Sequence, residues 1–280
     1  MISSDAAPAE PPRDPEHRPD QGYEYRGMMA RAWDLLRGDY STWPDRDFYR
    51  HILDGRGGAA LDVGCGTGRL ILDYLADGLD VDGIDNSPEM LAICRAKAET
   101  LGVDLGGRLY EQEMDQLDLP RRYSTIFVPS GTFMLLTDLT RAAEAMRRFH
   151  DSLEPDGALV ISFSAKLWPG RRTPPQMQWS PWFGLAEQPL DDGTMIRRWI
   201  SAKFDHVEHE QNRYELIRDG VVMETEMHYR SPCVRWYTLD QAIAAFERVG
   251  FDRILATAGD SFDPAGASDT HFTVIGERGA

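Results

Sequence analysis

The sequence predicts an α/β fold on a doubly wound, mostly parallel sheet, and three observations carry that prediction. Short apolar runs alternate with amphipathic stretches from residue 59 to residue 163, the pattern of strands joined by crossover helices. One such run, Ala59–Val63, feeds directly into Gly64-Cys65-Gly66-Thr67-Gly68 and then into a helix-like stretch. Glycines so placed let the backbone turn sharply and let a ligand lie against bare amides at a helix N-terminus. Finally, acids stand at the ends of the next two predicted strands (Asp85 and Glu113), and a parallel sheet binds its ligands at those carboxyl ends.

Residues 1–20, rich in Pro, Asp, Glu and Ala, read as a disordered tail. From Tyr23 to Leu36 the pattern is helical, with Met28, Met29, Ala32, Trp33 and Leu36 on one face. A Gly-Asp-Tyr-Ser-Thr-Trp-Pro loop follows, then a second helix-like piece from Asp45 to Leu53. Residues 21–57 are therefore expected to form a helical cover. The alternation then runs strand Ala59–Val63, helix Arg69–Ala76, strand Asp80–Ile84 and helix Pro88–Leu101. Ser87 is the N-cap of that last helix and Pro88 its first residue. Strand Arg108–Met114, loop Asp115–Arg122, strand Tyr123–Pro129 and helix Leu139–Leu153 come next. The turn Glu154-Pro155-Asp156-Gly157 leads into strand Ala158–Phe163. The rhythm breaks at Lys166. Five prolines and several aromatics occupy 166–192, and strands are expected over 194–210, 212–219 and 221–230, the last two joined by the hairpin signal Asp219-Gly220. Helix Leu239–Val249 and strands Phe251–Ala256 and His271–Glu277 close the chain. An α/β core over 58–165 and 238–280 thus carries an antiparallel β insertion, 166–237, between the fifth strand and the last helix.

Composition narrows the function classes. The 280 residues carry a formal net charge of -16, a balance that repels nucleic-acid phosphates and argues against a nucleic-acid partner. No apolar run approaches the ~20 residues of a membrane span, and the first residues lack the layout of a secretory signal. Cys65, Cys94 and Cys233 are widely spaced, which reads most simply as reduced thiols in a cytoplasmic protein. No metal-ligand cluster stands out.

The glycine spacing selects the ligand. A dinucleotide fingerprint requires a glycine at position 69, which is Arg; a phosphate loop requires Gly-Lys-Ser/Thr, which is absent. Asp62, just before the turn, would repel a pyrophosphate and suit a cationic amine, so an uncharged or cationic nucleoside fits better. Asp85, about twenty residues past the glycines, is placed to accept both ribose hydroxyls. At the end of the third strand Glu113, or failing it Asp115, can accept an adenine exocyclic amine, with Met114 offering an apolar face and a backbone amide.

Taken together, Asp62 through Gly68, Asp85, Glu113-Met114 and Glu154-Pro155-Asp156-Gly157 resemble the successive motifs of class I S-adenosylmethionine-dependent methyltransferases, over residues 45–163 and 238–277. The resemblance implies a Rossmann-like, seven-stranded sheet with a reversed last strand, and S-adenosyl-L-methionine as cofactor. It implies cofactor binding by Asp62, Gly64, Gly66, Asp85, Glu113 and Met114, with Asn86 and Met90 near the adenosine; Cys65 within the loop and Ser130 after the fourth strand are expected in the same site. Val128-Pro129-Ser130-Gly131-Thr132-Phe133 departs from the Asn/Asp-Pro-Pro-Tyr/Phe segment of enzymes acting on nucleobases and glutamine amides. The helical cover and antiparallel insertion resemble bacterial methyltransferases of small metabolites.

The expected activity is therefore methyl transfer from S-adenosyl-L-methionine to an N or O nucleophile of a small metabolite or natural product. Two alternatives stand beside it: a cofactor-binding protein with a non-methylating or regulatory role, and a protein methyltransferase. Tyr23, Tyr25, Trp33, Tyr40 and Trp43 are placed to cover the cofactor, since aromatic faces suit a sulfonium cation. Phe133, Trp179 and Trp182 are expected in the acceptor pocket. A base, if one is used, would come from His206 or His228, with His209 and the core-helix His150 weaker candidates. Arg171-Arg172 and Arg197-Arg198 are read as a solvated face rather than a carboxylate grip. The expected partner is a small-molecule acceptor, with no nucleic acid and no membrane, and a homodimer is left open.

Overall fold

The computed structural model describes residues 25–38, 43–165, 178–190, 192–204 and 207–279, with backbone only at 167–168 and 171–172. In chain order the first elements are α1 (Gly27–Arg31), α2 (Trp33–Arg37), α3 (Asp45–Arg56), β1 (Ala60–Val63), α4 (Ile71–Ala76), β2 (Val81–Asp85) and α5 (Pro88–Leu101). There follow β3 (Leu109–Glu111), β4 (Tyr123–Val128), α6 (Leu139–Ser152), β5 (Leu153–Ser164), and the two-residue pieces β6 (Leu167–Trp168) and β7 (Arg171–Arg172). The chain ends with β8 (Phe183–Pro189), β9 (Met195–Phe204), β10 (Glu208–Arg218), β11 (Val221–Val234), α7 (Leu239–Val249), β12 (Arg253–Ala258) and β13 (His271–Glu277). None of its described helices is long and apolar enough to cross a membrane. Two compact units form, one from 41–173 with 235–280 and the other from 1–40 with 174–234.

The larger unit holds a seven-stranded sheet in the order β12-β13-β5-β4-β1-β2-β3. Strands β3, β2, β1, β4 and β5 are mutually parallel, and β13 runs antiparallel between β5 and β12. Strand order reverses beside β1, so the carboxyl ends of β1 and β4 flank the crevice where such sheets bind ligands. All four residues of β1 are buried, as expected for a strand covered on both faces. Phe48, Tyr49, Ile52 and Leu53 of α3 join Ile71, Leu72 and Tyr74 of α4, Cys94 of α5 and Phe127 of β4 in one apolar cluster. A buried aromatic of that size contributes about 1.5–3 kcal/mol. The caps follow the sequence. Ser87 Oγ accepts from Met90 N at 3.1 Å, and Thr238 with Gln241 closes a capping box on α7.

The smaller unit is a four-stranded antiparallel sheet, β11-β10-β9-β8, on which Met28, Met29 and Ala32 pack against Ile196 and Tyr214. Its β10–β11 hairpin turns on Asp219 (φ 49°) and Gly220 (φ 76°). Positive φ at both central residues matches the right-handed twist of the flanking strands.

The structure corrects several boundaries. The single helical cover expected over 21–57 is divided: α1 and α2 belong to the antiparallel unit and α3 to the large sheet, because Met28 and Met29 find their apolar partners on β9 and β10. The strand expected over 194–210 is two, since Glu208 pairs back onto Phe204. The third core strand stops at Glu111, leaving Glu113 to cap a 3-10 turn at Met114–Gln116. β5 starts at Leu153 and runs through the expected Glu154–Gly157 turn, which survives as a shift in pairing register with Asp156 at φ 60°.

Candidate active site

The glycine run is built as a tight cradle at the end of β1. Gly64 (φ 74°) and Gly66 (φ 55°) lie in the left-handed region. A Cβ on Gly64 would sit 2.3 Å from Thr132 Cγ2, so the turn after β4 presses against the loop only because residue 64 has no side chain. The amides of Gly64 and Cys65 both donate to the Ile84 carbonyl, at 2.8 and 2.9 Å. Gly66 N donates instead to Asp85 Oδ2 at 2.9 Å, and Ser87 N to Oδ1 at 2.8 Å. Asp85 therefore ties the loop to the end of β2. Burial raises its pKa, and these amide bonds oppose the rise. Cys65 is buried, its sulfur 2.9 Å from where a Gly83 Cβ would stand. Burial pushes its thiol well above the usual range, so its small volume accounts for it and thiolate chemistry does not.

Asp62 is the least conventional group in the crevice. It is 1% exposed, and its Oδ1 is buried with no hydrogen-bond partner. Burial pushes its pKa up to about 7; Asp85 and Asp45 add to the rise while Arg69 opposes it. A buried acid with an unpaired oxygen is costly to a fold, which makes Asp62 a candidate for ligand contact. Arg69, which the glycine spacing marks only as a position that is not glycine, has a partner that no local pattern announces. Its guanidinium grips Asp45 of α3 at 2.9 and 2.5 Å and reaches Ser130 Oγ at 3.2 Å. It also lies 5.2 Å from the Trp43 ring centroid. Ser130, at φ 55°, is a left-handed non-glycine residue two positions past the end of β4, a strained conformation that the following Gly131 shares without penalty.

At the end of β3 the two candidate acids are treated differently. Asp115 is buried and taken by Arg141 of α6, from Nε at 2.6 Å and Nη2 at 2.8 Å. Those contacts lower its pKa. Glu113 meets Arg141 through Oε2 at 3.0 Å and Asn86 Nδ2 through Oε1 at 3.3 Å, and is more open. Of the two, Glu113 is the better placed to accept from a ligand amine. Met90 is buried beneath Gly66, its Cε 3.6 Å from where a Gly66 Cβ would lie, and Met114 is half-buried beside Glu113. The donor set fits an adenosine bearing an ammonium tail: an acid with one unpaired oxygen at Asp62, a loop-bound acid for a diol at Asp85, and an acid for an amine at Glu113.

Phe133 lies in the larger unit, and Tyr25, Trp33, Trp179, Trp182 and His228 lie in the antiparallel one. Phe133 is 1% exposed and packs against Phe163 and Tyr237 at 5.8 and 5.9 Å, which makes it core rather than pocket lining. Tyr25 and Trp33 stack edge-on at 4.8 Å within the antiparallel unit. Trp179 and Trp182 are half-buried in the same unit, Trp179 with the Lys203 ammonium 5.0 Å from its ring. His228 is 3% exposed, its Nε2 2.9 Å from Glu226 Oε1 and its ring edge-on to Tyr214. Burial lowers its pKa. Glu226 in turn accepts from Met28 N at 2.7 Å, so this pair fastens α1 to the antiparallel sheet. Arg197 is engaged by Glu187 and Arg198 by Asn212. His206, Tyr23 and Tyr40 lie outside the described residues, as do the side chains of Arg171 and Arg172.

Residues 60–157 match the methyltransferase domain family. Among curated proteins, the dTDP-3-amino-3,6-dideoxy-alpha-D-glucopyranose N,N-dimethyltransferase of Streptomyces fradiae is 28% identical over 160 residues, 52% of this chain and 58% of that one. A carboxy-S-adenosyl-L-methionine synthase of Wolinella succinogenes is 34% identical over 120 residues, 41% of this chain and 48% of its own. The chain spans about half the length of the curated relatives it matches. Among solved structures, an S-adenosylmethionine-dependent methyltransferase from Clostridium acetobutylicum shares the fold with a TM-score of 0.69 at 18% identity, covering 90% of this chain and 98% of that one.

Proposed function

We propose that this chain, whose residues 60–157 match the methyltransferase domain family, binds S-adenosyl-L-methionine in the Asp62–Asp85–Glu113 crevice and transfers its methyl group to an N or O nucleophile of a small molecule. The buried, unpaired Asp62 oxygen carries the reading. When bound, the cofactor supplies an electrophilic methyl carbon on a positively charged sulfur. The chain's part is to bind, orient and exclude water, and alignment alone can lower such a barrier by roughly 7–11 kcal/mol. Asp62 would hold the ammonium, Asp85 the ribose diol and Glu113 the exocyclic amine, with the Met114 amide alongside. Ser130 and Arg69 would shape the wall after β4. The Streptomyces relative is named for a sugar amine, in line with a small-molecule acceptor. The synthase relative is named for a carboxylated product. Acids outnumber cations here, and Arg69 is already held by Asp45. That balance favours methyl transfer over handling a carboxylate.

Calorimetric titration of S-adenosyl-L-methionine into wild type and Asp85→Ala tests the binding site. Loss of a charge-assisted bond is worth about 1.5–3 kcal/mol, so affinity should fall about 10- to 100-fold. Equal affinities would remove Asp85 from the site.

A further inference from the structure

A second group of polar side chains sits at the same end of the sheet, on strands that the cofactor crevice does not use. His271 opens β13, and because β13 is reversed its first residue lies at the carboxyl edge of β5, paired with Ser164. Its Nδ1 is 3.4 Å from Ser164 Oγ, and its Nε2 is 3.4 Å from Asp260 Oδ2 in the segment between β12 and β13. Asp260 is 14% exposed at its side chain, and its other oxygen is buried without a partner. Beside it Tyr49 of α3 is 1% exposed, its hydroxyl buried without a well-formed hydrogen bond and subject to the charges of Asp260 and Asp45. Ser162, two residues before Ser164, accepts from Gly131 N at 3.1 Å and so joins this group to the turn after β4. The His271 side chain is 43% exposed. Neither the packing of the sheet nor the proposed cofactor contacts use these groups.

We propose that Asp260, His271 and Ser164 form a proton relay that deprotonates the methyl acceptor, and that the acceptor is an amine entering as its ammonium. This rests on the methyltransferase reading above. With Nε2–H directed at Asp260, the free lone pair of His271 is on Nδ1, facing the Ser164 hydroxyl. The ammonium gives a proton to Ser164 Oγ as the Ser164 proton passes to Nδ1, leaving a neutral amine and an imidazolium held by Asp260. The amine lone pair then forms the N–C bond while the C–S bond breaks with its electrons staying on sulfur; the product leaves as its ammonium, and the imidazolium releases its proton to solvent, which resets the relay. The chemistry selects nitrogen over oxygen. An alkylammonium of pKa about 8–10 is within a few units of an imidazole, whereas an alcohol is roughly nine units away. The surrounding field agrees: Asp45, Asp62 and Asp260 face this end of the sheet, Arg69 is bound to Asp45, and so a cationic acceptor is favoured. Asp260 and Asp45 are the charges facing His271, and they raise its pKa.

Two measurements test this. In the first, the His271 imidazole is titrated by NMR, without any ligand, in wild type and Asp260→Asn. The midpoint is expected above the ordinary ~6.5 in wild type and lower in the variant; an unchanged midpoint overturns the relay. In the second, full-length wild type and His271→Gln are incubated with a small-molecule extract of the source cells and S-adenosyl-L-methionine bearing a deuterated methyl group, and products are read by tandem mass spectrometry. The label is expected on nitrogen. His271→Gln should lower kcat/KM about 100-fold or more and remove the acid limb of its pH profile. Label on oxygen or carbon, or an unaltered acid limb, overturns the proposal while methyl transfer stands. Absence of any labelled product overturns the methyltransferase reading itself, and this proposal with it.

Discussion

Replacing Gly64 with alanine separates two demands that the structure places on one atom. At φ 74° an L-residue is strained by about 1–2 kcal/mol, and the new Cβ would lie 2.3 Å from Thr132 Cγ2. Forcing a methyl into packed surroundings costs about a further 1–3 kcal/mol, for a total of about 2–5 kcal/mol. The next Thr132 atoms are Oγ1 at 3.1 Å and Cβ at 3.2 Å, so Thr132→Ser removes the worst contact and leaves the backbone strain. Urea unfolding of wild type, Gly64→Ala, Thr132→Ser and the double variant forms a cycle. The double variant is expected to recover the packing share, about 1–3 kcal/mol, with about 1–2 kcal/mol remaining. A Gly64→Ala protein as stable as wild type, or a double variant showing no recovery, would refute the account of the β1 and β4 turns as mutually packed. Calorimetry on the same four proteins should show weaker cofactor binding in Gly64→Ala, partly restored in the double variant.

The other outcomes follow from the buried acids. Asp62 ionises near 3.8 unfolded and near 7 folded, so between those pH values the folded state holds more protons and stability falls as pH rises. Asp62→Asn should therefore be more stable than wild type above pH 7, by a few kcal/mol at most, with the advantage vanishing toward pH 4. Chemical denaturation across pH 4–8 checks this, and a pH-independent difference would contradict the burial argument. The Arg69–Asp45 pair is nearly sealed from solvent, with side chains 13% and 8% exposed. Asp45→Ala strands the guanidinium and should cost about 3–5 kcal/mol. A loss below about 1 kcal/mol by denaturant midpoint would mean that Arg69 finds another partner.

Much of the core was legible because its signals are local. A strand ending in alternate glycines, Ser87 and Pro88 opening a helix, and Asp219-Gly220 opening a hairpin each depend on backbone preferences that neighbours cannot override. The reversed final strand followed from the family resemblance, and the sheet bears it out. Boundaries failed where partners far along the chain decide them. α1 and α2 read with α3 as one helical cover by pattern alone, yet Met28 and Met29 pack on Ile196 and Tyr214, in strands that come far later in the chain. Phe133 reads as a pocket aromatic by its place after β4 and is core because Phe163 and Tyr237 surround it.

By itself the sequence determined the α/β core, the crevice and the acids at its strand ends, because turn glycines and strand-terminal carboxylates act where they stand. Tertiary structure alone decided their condition. One Asp62 oxygen is left unpaired, Arg141 takes Asp115 into its burial while Glu113 stays more exposed, and Arg69 is drawn to Asp45. It also brought His271 of the reversed strand to Ser164 and Asp260, a meeting of residues 107 and 11 positions away. Charge and burial are set by what surrounds a group in space, and strand order, which no local pattern encodes, sets those surroundings.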